Sequence, residues 1–162
     1  VYDGEGDPNM LLEYPVAMMD IEVGSDPSSW DNREACRALA RSTTEIFKGD
    51  GRKVHNLLCV GGVHFEPNFA EAALTTWGDE AFGVTHIIAN QWLVTGEYEN
   101  GDGLAKVCSC IEAIEGGISA IVFHDKMKGC YKDLVRAIGE KYNVPIYKHQ
   151  RLRKPEELEF AD

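Results

Sequence analysis

Residues 54–67 read VHNLLCVGGVHFEP, and this stretch decides the fold. The apolar run 54–60 predicts a buried strand, Gly61 and Gly62 allow a sharp turn, and a helix is expected behind Pro67. The histidine of the turn, His64, therefore lies at the carboxyl edge of a sheet. Open α/β folds bind their ligands at that edge, so we look for chemistry there.

Outward from this stretch, apolar runs alternate with segments of helical periodicity. The predicted strands are 15–23, 54–60, 84–89, 118–123 and 144–147. The predicted helices run from Ser28 or Ser29 to about Lys48, over 68–76, from 104 to about 115, and from 129 to about 142, with a loop at 94–103. This order favours the α/β class, as a three-layer α/β/α sandwich with a mostly parallel or mixed sheet of about five strands.

The ends of the chain differ in composition from its middle. Residues 1–14 are acidic and rich in glycine, which predicts an N-terminal loop or the remnant of a preceding segment. Residues 15–154 are expected to form a single domain, and an acidic tail over 155–162 is expected to fray. Because the sequence begins at Val1, we expect that residues upstream are missing.

Composition indicates a globular protein, with 44% hydrophobic and 27% charged residues among 162. The five cysteines lack the Cys-x-x-Cys spacing of a structural zinc site, which favours free thiols. No apolar run approaches the roughly 20 residues of a membrane span, and no signal peptide is evident. We expect a soluble, cytoplasmic protein without a membrane partner.

The net charge of −11 is unevenly distributed. Residues 121–154 carry nine basic groups against three acidic ones, a local net charge of +6. Such a segment can dock a phosphate-rich partner in one orientation. The alternative is a solvated helix face with a charged tail.

Three histidines lie where chemistry is expected. His64 follows the two glycines, His86 lies inside the apolar run 84–89, and His124 precedes Asp125 at the end of the fourth predicted strand. A lone histidine in a strand is more often a core residue, so His86 gains weight only if it meets His64. The pair 124–125 is equally consistent with a site and with a helix cap. His55 and His149 have no evident partner and receive no role.

Glu22, which closes the first predicted strand, is a candidate general base or outer metal partner. Cys108 and Cys110 point in different directions on a predicted helix and are interpreted as packing residues. Phosphate-loop, Gly-x-Ser-x-Gly and His-Glu-x-x-His motifs are missing from the sequence, which disfavours the nucleotidases and hydrolases that carry them.

Four segments in this order resemble the archaeal and plant type of D-aminoacyl-tRNA deacylase. They are Glu22-Val23-Gly24-Ser25 with Trp30, the stretch 58–67 with its Gly-Gly-Val-His-Phe core, Thr85-His86, and Lys126-Met127-Lys128-Gly129. They resemble the family's Glu-Ile-Gly-Ser, Gly-Gly-Gly-His-Tyr, Gly-His and Lys-Gly elements and span residues 15–146. The chain departs from the pattern at Val63, Phe65, Asn68, Phe69 and Glu71, where the family has Gly, Tyr, Arg, His and Asp.

The resemblance implies a phosphorylase- or peptidyl-tRNA-hydrolase-like fold and hydrolysis of the ester between a D-amino acid and tRNA, with zinc as the metal. In this reading His64 and His86 are metal ligands or water-orienting bases, and Glu22 is their outer partner. A third ligand would come from Glu22, Asp125 or a missing segment, because catalytic zinc usually takes three protein ligands.

For substrate contacts the resemblance implies Gly61 and Gly62, whose amides would stabilise an oxyanion, Phe65, and the segment Lys126, Lys128 and Gly129, whose charge would hold tRNA phosphates. Two alternatives stay open. One is a catalytically silent relative that binds RNA or protein, consistent with the loss of a histidine at Phe69. The other is a related peptidyl-tRNA or ester hydrolase that uses a histidine and Asn90.

Overall fold

The computed structural model describes residues 23–24, 26–49 and 51–161, which divide between two compact units, 1–52 and 53–162. Glu22 and the predicted first strand up to that residue lie outside the described residues. In the described part of the chain, no helix is long and apolar enough to cross a membrane.

Two helices form the described part of the first unit, α1 (Pro27–Trp30) and α2 (Arg33–Glu45). One continuous helix to Lys48 was predicted, and that prediction is wrong. The helix is interrupted after Trp30 because Asn32 caps a new helix. The Asn32 side chain accepts hydrogen bonds from the Glu34 and Ala35 amides. An Asn side chain that accepts hydrogen bonds from two free amides stabilises a helix start at its own position, which apolar periodicity alone does not reveal.

The second unit alternates strands and helices. Its elements are β1 (Lys53–Val60), α3 (Pro67–Leu74), β2 (Thr76–Trp77), β3 (Glu80–Ile88), α4 (Asn90–Thr95), α5 (Gly103–Glu112), β4 (Ala120–Phe123), α6 (Gly129–Tyr142), β5 (Ile146–Lys148) and the 3₁₀ turns His149–Arg153 and Pro155–Glu157. The α/β class is confirmed.

The five strands form one mixed sheet in the order β2-β3-β1-β4-β5. All neighbours are parallel except β2, which pairs with β3 in an antiparallel hairpin. The hairpin and α4 were not predicted. In the hairpin, Gly78 has φ +58° and occupies a two-residue turn with Asp79, a conformation that favours glycine.

A bulge interrupts the pairing of β1 with β3. Leu57 pairs with Val84, but Leu58 pairs with His86, so Thr85 is the extra residue. The Thr85 hydroxyl donates to the Leu57 carbonyl at 3.0 Å. As a result, side chains before and after Thr85 alternate in opposite phase, as a bulge requires.

Helices flank the sheet, and two buried clusters lie against its opposite faces. On one face Leu58, Val60 and Ile121 pack against side chains of α4, α5 and α6. On the other face Leu57, Cys59 and Val122 pack against α3 and the first 3₁₀ turn, through Phe69, Ala72 and Leu152. Residues 57–60 of the central strand β1 are buried on both faces, which is why this part of the strand reads as a continuous apolar run.

The segment after Pro155 packs against the sheet where fraying was expected. The Tyr147 hydroxyl donates to the Glu159 carbonyl at 2.7 Å, and the Ala161 amide donates to the Ser119 carbonyl at 3.1 Å. The Phe160 ring stacks on His55 with centroids 4.0 Å apart. Its acidic composition suggested a solvated tail, but a single aromatic residue gives it apolar area to bury.

Candidate metal centre

Three adjacent strands end at one edge of the sheet and bring polar residues together. His124 follows β4, and its amide donates to the carbonyl of Val60, the last residue of β1, at 2.9 Å. His149 follows β5 directly. Because β1, β4 and β5 are neighbouring parallel strands, the residues that follow them meet at the carboxyl edge.

His124, Asp125 and His149 form a group that could hold a metal ion. One ligand atom from each lies within 4.8 Å of the others, and this is the single such group in residues 23–24, 26–49 and 51–161. The two imidazole rings stack with centroids 4.6 Å apart and planes 11° apart. Two imidazoles and one carboxylate are a common ligand set for a catalytic transition metal.

Burial favours the neutral form of His149. It is 8% exposed, and its Nδ1 is buried without a hydrogen-bond partner in the described structure. Burial, together with the neighbouring ring of His124, lowers its pKa. A neutral imidazole is the form that binds metal, so His149 is ready to coordinate near neutral pH.

Asp125 remains ionised for a different reason. Desolvation raises its pKa, but the hydrogen bond from Gln150 and the two imidazoles outweigh it, so the pKa is lowered overall. The Gln150 amide donates to Asp125 Oδ2 at 3.1 Å, and Lys132 Nζ donates to the Asp125 carbonyl at 2.8 Å. The site thus offers one carboxylate held in place by hydrogen bonds.

Glu66 supplies a second, buried carboxylate beside this group. It caps α3, accepting from the amides of Val63 at 3.2 Å and Asn68 at 3.4 Å, and from the Asn68 side chain. Desolvation raises its pKa, but these hydrogen bonds and the field of His124 lower it overall. Glu66 thus adds negative potential near the two imidazoles.

The two histidines that the sequence favoured lie apart from this group. His64 is half-buried in the turn after β1, and its ring contacts Phe65 at 4.3 Å. His86 faces α5, where its Nε2 lies 3.1 Å from the Cys110 carbonyl, and burial lowers its pKa. Among the described residues, no ring contact or hydrogen bond joins His64 to His86. Their catalytic and metal-binding roles remain predictions.

The predicted substrate-binding residues line the same edge, with one restriction. Gly61 and Gly62 have φ of +92° and +72°, and the Gly61 amide donates to the Ile88 carbonyl at 2.8 Å. It is therefore not free to bind an oxyanion, whereas the Gly62 amide has no acceptor in the described part of the chain. Phe65 is 74% exposed, and the exposed segment Lys126, Lys128 and Gly129 leads into α6.

His149 and Glu66 were missed by sequence reasoning. The predicted strand 144–147 ends two residues before His149, whereas β5 extends to Lys148. A histidine directly after a strand is the same signal that singled out His124. Glu66 precedes Pro67 at the start of a helix, which is the position of a capping residue.

Comparison with known proteins gives the family. A model of the D-aminoacyl-tRNA deacylase family matches residues 12–147. The chain belongs to the D-aminoacyl-tRNA deacylase family. The resemblance of the four sequence segments is thereby confirmed. The family assignment rests on a match over most of the chain, which none of the single motifs provides.

The individual relatives share low sequence identity with this chain. A D-aminoacyl-tRNA deacylase of Archaeoglobus fulgidus is 25% identical over 134 residues, covering 82% of this chain and 44% of the relative. One of Natronomonas pharaonis is 29% identical over 93 residues, covering 57% of this chain and 20% of the relative. The chain spans less than half the length of the curated relatives it matches.

A solved structure shares the fold. A crystal structure described as a conserved protein of unknown function superposes with a TM-score of 0.63 at 22% identity, covering 86% of this chain and 44% of that one. Within the fold, Phe69, where the family pattern has a histidine, is fully buried against the sheet. That position supplies no metal ligand in this chain.

Proposed function

We propose that this chain hydrolyses the ester bond between a D-amino acid and the 3′ end of tRNA. The observation that carries the proposal is the group of His124, Asp125 and His149 at the carboxyl edge of the sheet, in a chain of this family. An ester is an activated substrate, so a polarised carbonyl and a correctly placed water are the main requirements.

The residues present fit a zinc ion. Zinc takes nitrogen and oxygen ligands, catalytic zinc usually takes three from the protein, and the buried Nδ1 of His149 lacks any other partner in the described structure. His124, Asp125 and His149 would hold the ion. When bound, zinc supplies a Lewis acid that polarises the ester carbonyl and makes water acidic.

The surrounding residues take roles in binding and proton transfer. His64 orients or deprotonates the attacking water from the turn after β1, and the Gly62 amide donates to the developing oxyanion. Glu66 holds the turn against α3 and favours the positive charge that develops near the imidazoles. His86 and Glu22 remain candidates for an outer ring of polar support.

The tRNA would lie across the basic side of this edge. Lys126 and Lys128 are exposed next to the metal group, and Phe65 offers an exposed ring on which an unpaired base can stack. Phosphate contacts of this kind carry no sequence information, which suits an enzyme that must accept many tRNAs.

Paired D- and L-aminoacyl-tRNAs test the proposal. With zinc present, the chain should release the D-amino acid, and Asp125→Asn should lower kcat/KM at least about tenfold, the loss typical of a metal-site residue. Asp133→Asn is the matched control, because Asp133 is exposed and pairs with Arg136 on α6. Absence of D-specific hydrolysis by the unaltered chain would refute the proposal and favour a silent binding module.

A further inference from the structure

A groove of about 280 Å³ lies between α3 and the 3₁₀ turn His149–Arg153. Buried Ala72 and Leu152 line it, and its polar walls come from one face of α3, at Asn68 and Glu71, and from Arg153. Positions 68, 71, 72 and 75 share that face because three- and four-residue spacing repeats along a helix. The groove therefore has an apolar floor and charged walls.

His149 joins the groove to the candidate metal centre. It lines the groove and also belongs to the group with His124 and Asp125. Its imidazole is more than nine-tenths buried, and its Nδ1 has no partner in the described structure. A substrate whose carbonyl lies at the candidate metal centre could therefore place a neighbouring chemical group in the groove.

The walls of the groove carry two opposite charges, Glu71 and Arg153, that are not joined by a short hydrogen bond. Glu71 Oε2 lies 4.0 Å from Arg153 Nη2, longer than the roughly 2.7–2.9 Å of a charge-assisted hydrogen bond. Both side chains are more than half exposed, at 63% and 64%. The Glu71 carboxylate keeps the capacity to accept hydrogen bonds from a cationic ligand.

The volume limits what can enter. Pockets that bury drug-sized ligands usually measure roughly 300–1,000 Å³, so this groove suits a smaller group. An aminoacyl unit carries a positively charged α-ammonium next to its ester carbonyl. The carboxylate of Glu71 matches that ammonium, and the apolar floor accommodates a side chain.

The geometry points to this groove as the aminoacyl subsite, in which Glu71 recognises the free α-ammonium of the substrate. This inference rests on the proposed function and adds a specificity to it. Acylation of the amine removes its charge and enlarges it, so N-acylated substrates such as peptidyl-tRNA bind poorly. The subsite thus separates a deacylase of free aminoacyl esters from a peptidyl-tRNA hydrolase.

Binding of a non-hydrolysable analogue tests the subsite without requiring catalysis. The probe is 3′-(D-alanylamino)-3′-deoxyadenosine, with its N-acetyl derivative as the uncharged counterpart, and calorimetry measures both Kd values. Glu71→Gln should weaken binding of the free-amine probe about tenfold or more, as expected for loss of a charged hydrogen-bond partner, and leave the N-acetyl probe unchanged.

Glu115→Gln is the matched control, since Glu115 is exposed and lies before β4, at the opposite edge of the sheet. Equal Kd values for the unaltered chain and Glu71→Gln, or no binding of the free-amine probe by the unaltered chain, would overturn the inference. Hydrolysis of D-aminoacyl-tRNA by the unaltered chain is scored separately, so failure of the subsite is distinguished from failure of the proposed function.

Discussion

Gly62→Ala should destabilise the second unit strongly, because Gly62 has a left-handed backbone conformation and its Cα lies beside the buried carboxylate of Glu66. At φ +72° a side chain costs about 1–2 kcal/mol. A Cβ there would lie 2.4 Å from Glu66 Oε2 and 2.9 Å from its Cγ, so Glu66 must move. Losing a hydrogen bond to that carboxylate costs roughly 1.5–3 kcal/mol more. The expected loss is about 2.5–5 kcal/mol in the free energy of unfolding.

Urea unfolding measures this loss, and a second background separates its two parts. In Glu66→Ala the carboxylate is already gone, so Gly62→Ala should then cost only the backbone strain of about 1–2 kcal/mol. Gly101→Ala is the control, because a Cβ at Gly101 meets no atom within 4 Å and its φ is not left-handed. If Gly62→Ala costs the same with and without Glu66, or no more than Gly101→Ala, the contact between the turn and the carboxylate does not hold.

Two further predictions concern His86 and the lysines. Burial lowers the pKa of His86 in the folded state, so the unfolded chain binds the proton first and the stability of the metal-free protein should fall as the pH drops below about 6.5. His149 contributes in the same direction because its pKa is also lowered, so His86→Gln should reduce this pH dependence in urea titrations without abolishing it. An unaltered slope would contradict the prediction. Lys126→Ala and Lys128→Ala should each reduce the salt dependence of tRNA binding by about 0.7–0.9 in slope of log K against log salt in filter binding. Lys106→Ala is the control and should leave the slope unchanged, since the Lys106 ammonium is held by Asp102 and the Gly96 carbonyl. Equal slopes in all three variants would refute the proposed phosphate contacts of Lys126 and Lys128.

The central strand could be predicted from sequence because its signal is local. Residues 57–60 of the apolar run are buried between the two clusters, and the glycines that follow adopt the positive φ that only glycine adopts readily. The break at Asn32 and the hairpin at Gly78 are also marked locally, but by single turn residues that the apolar periodicity obscured.

The candidate site could be predicted only in part because its residues meet through the order of the strands. His124 was singled out, whereas His149 was dismissed for want of a partner. Its partner is 25 residues away along the chain and adjacent in space, since β4 and β5 are neighbours. His86 illustrates the converse: its placement depends on a bulge that no pattern in the sequence announced.

Thr85 acts as a spacer that sets which way the end of β3 faces. If Thr85 instead paired as an ordinary strand residue, strict alternation would place His86 on the face occupied by Phe82 and Val84, and Ile87 and Ile88 would exchange surroundings. Removal of Thr85 would make Val84 and His86 neighbours in a regular strand, so His86, Ile87 and Ile88 would keep the faces that they have now. In an alignment with a family member that lacks the bulge, a gap placed at Thr85 would keep the residues on both sides in register with β1.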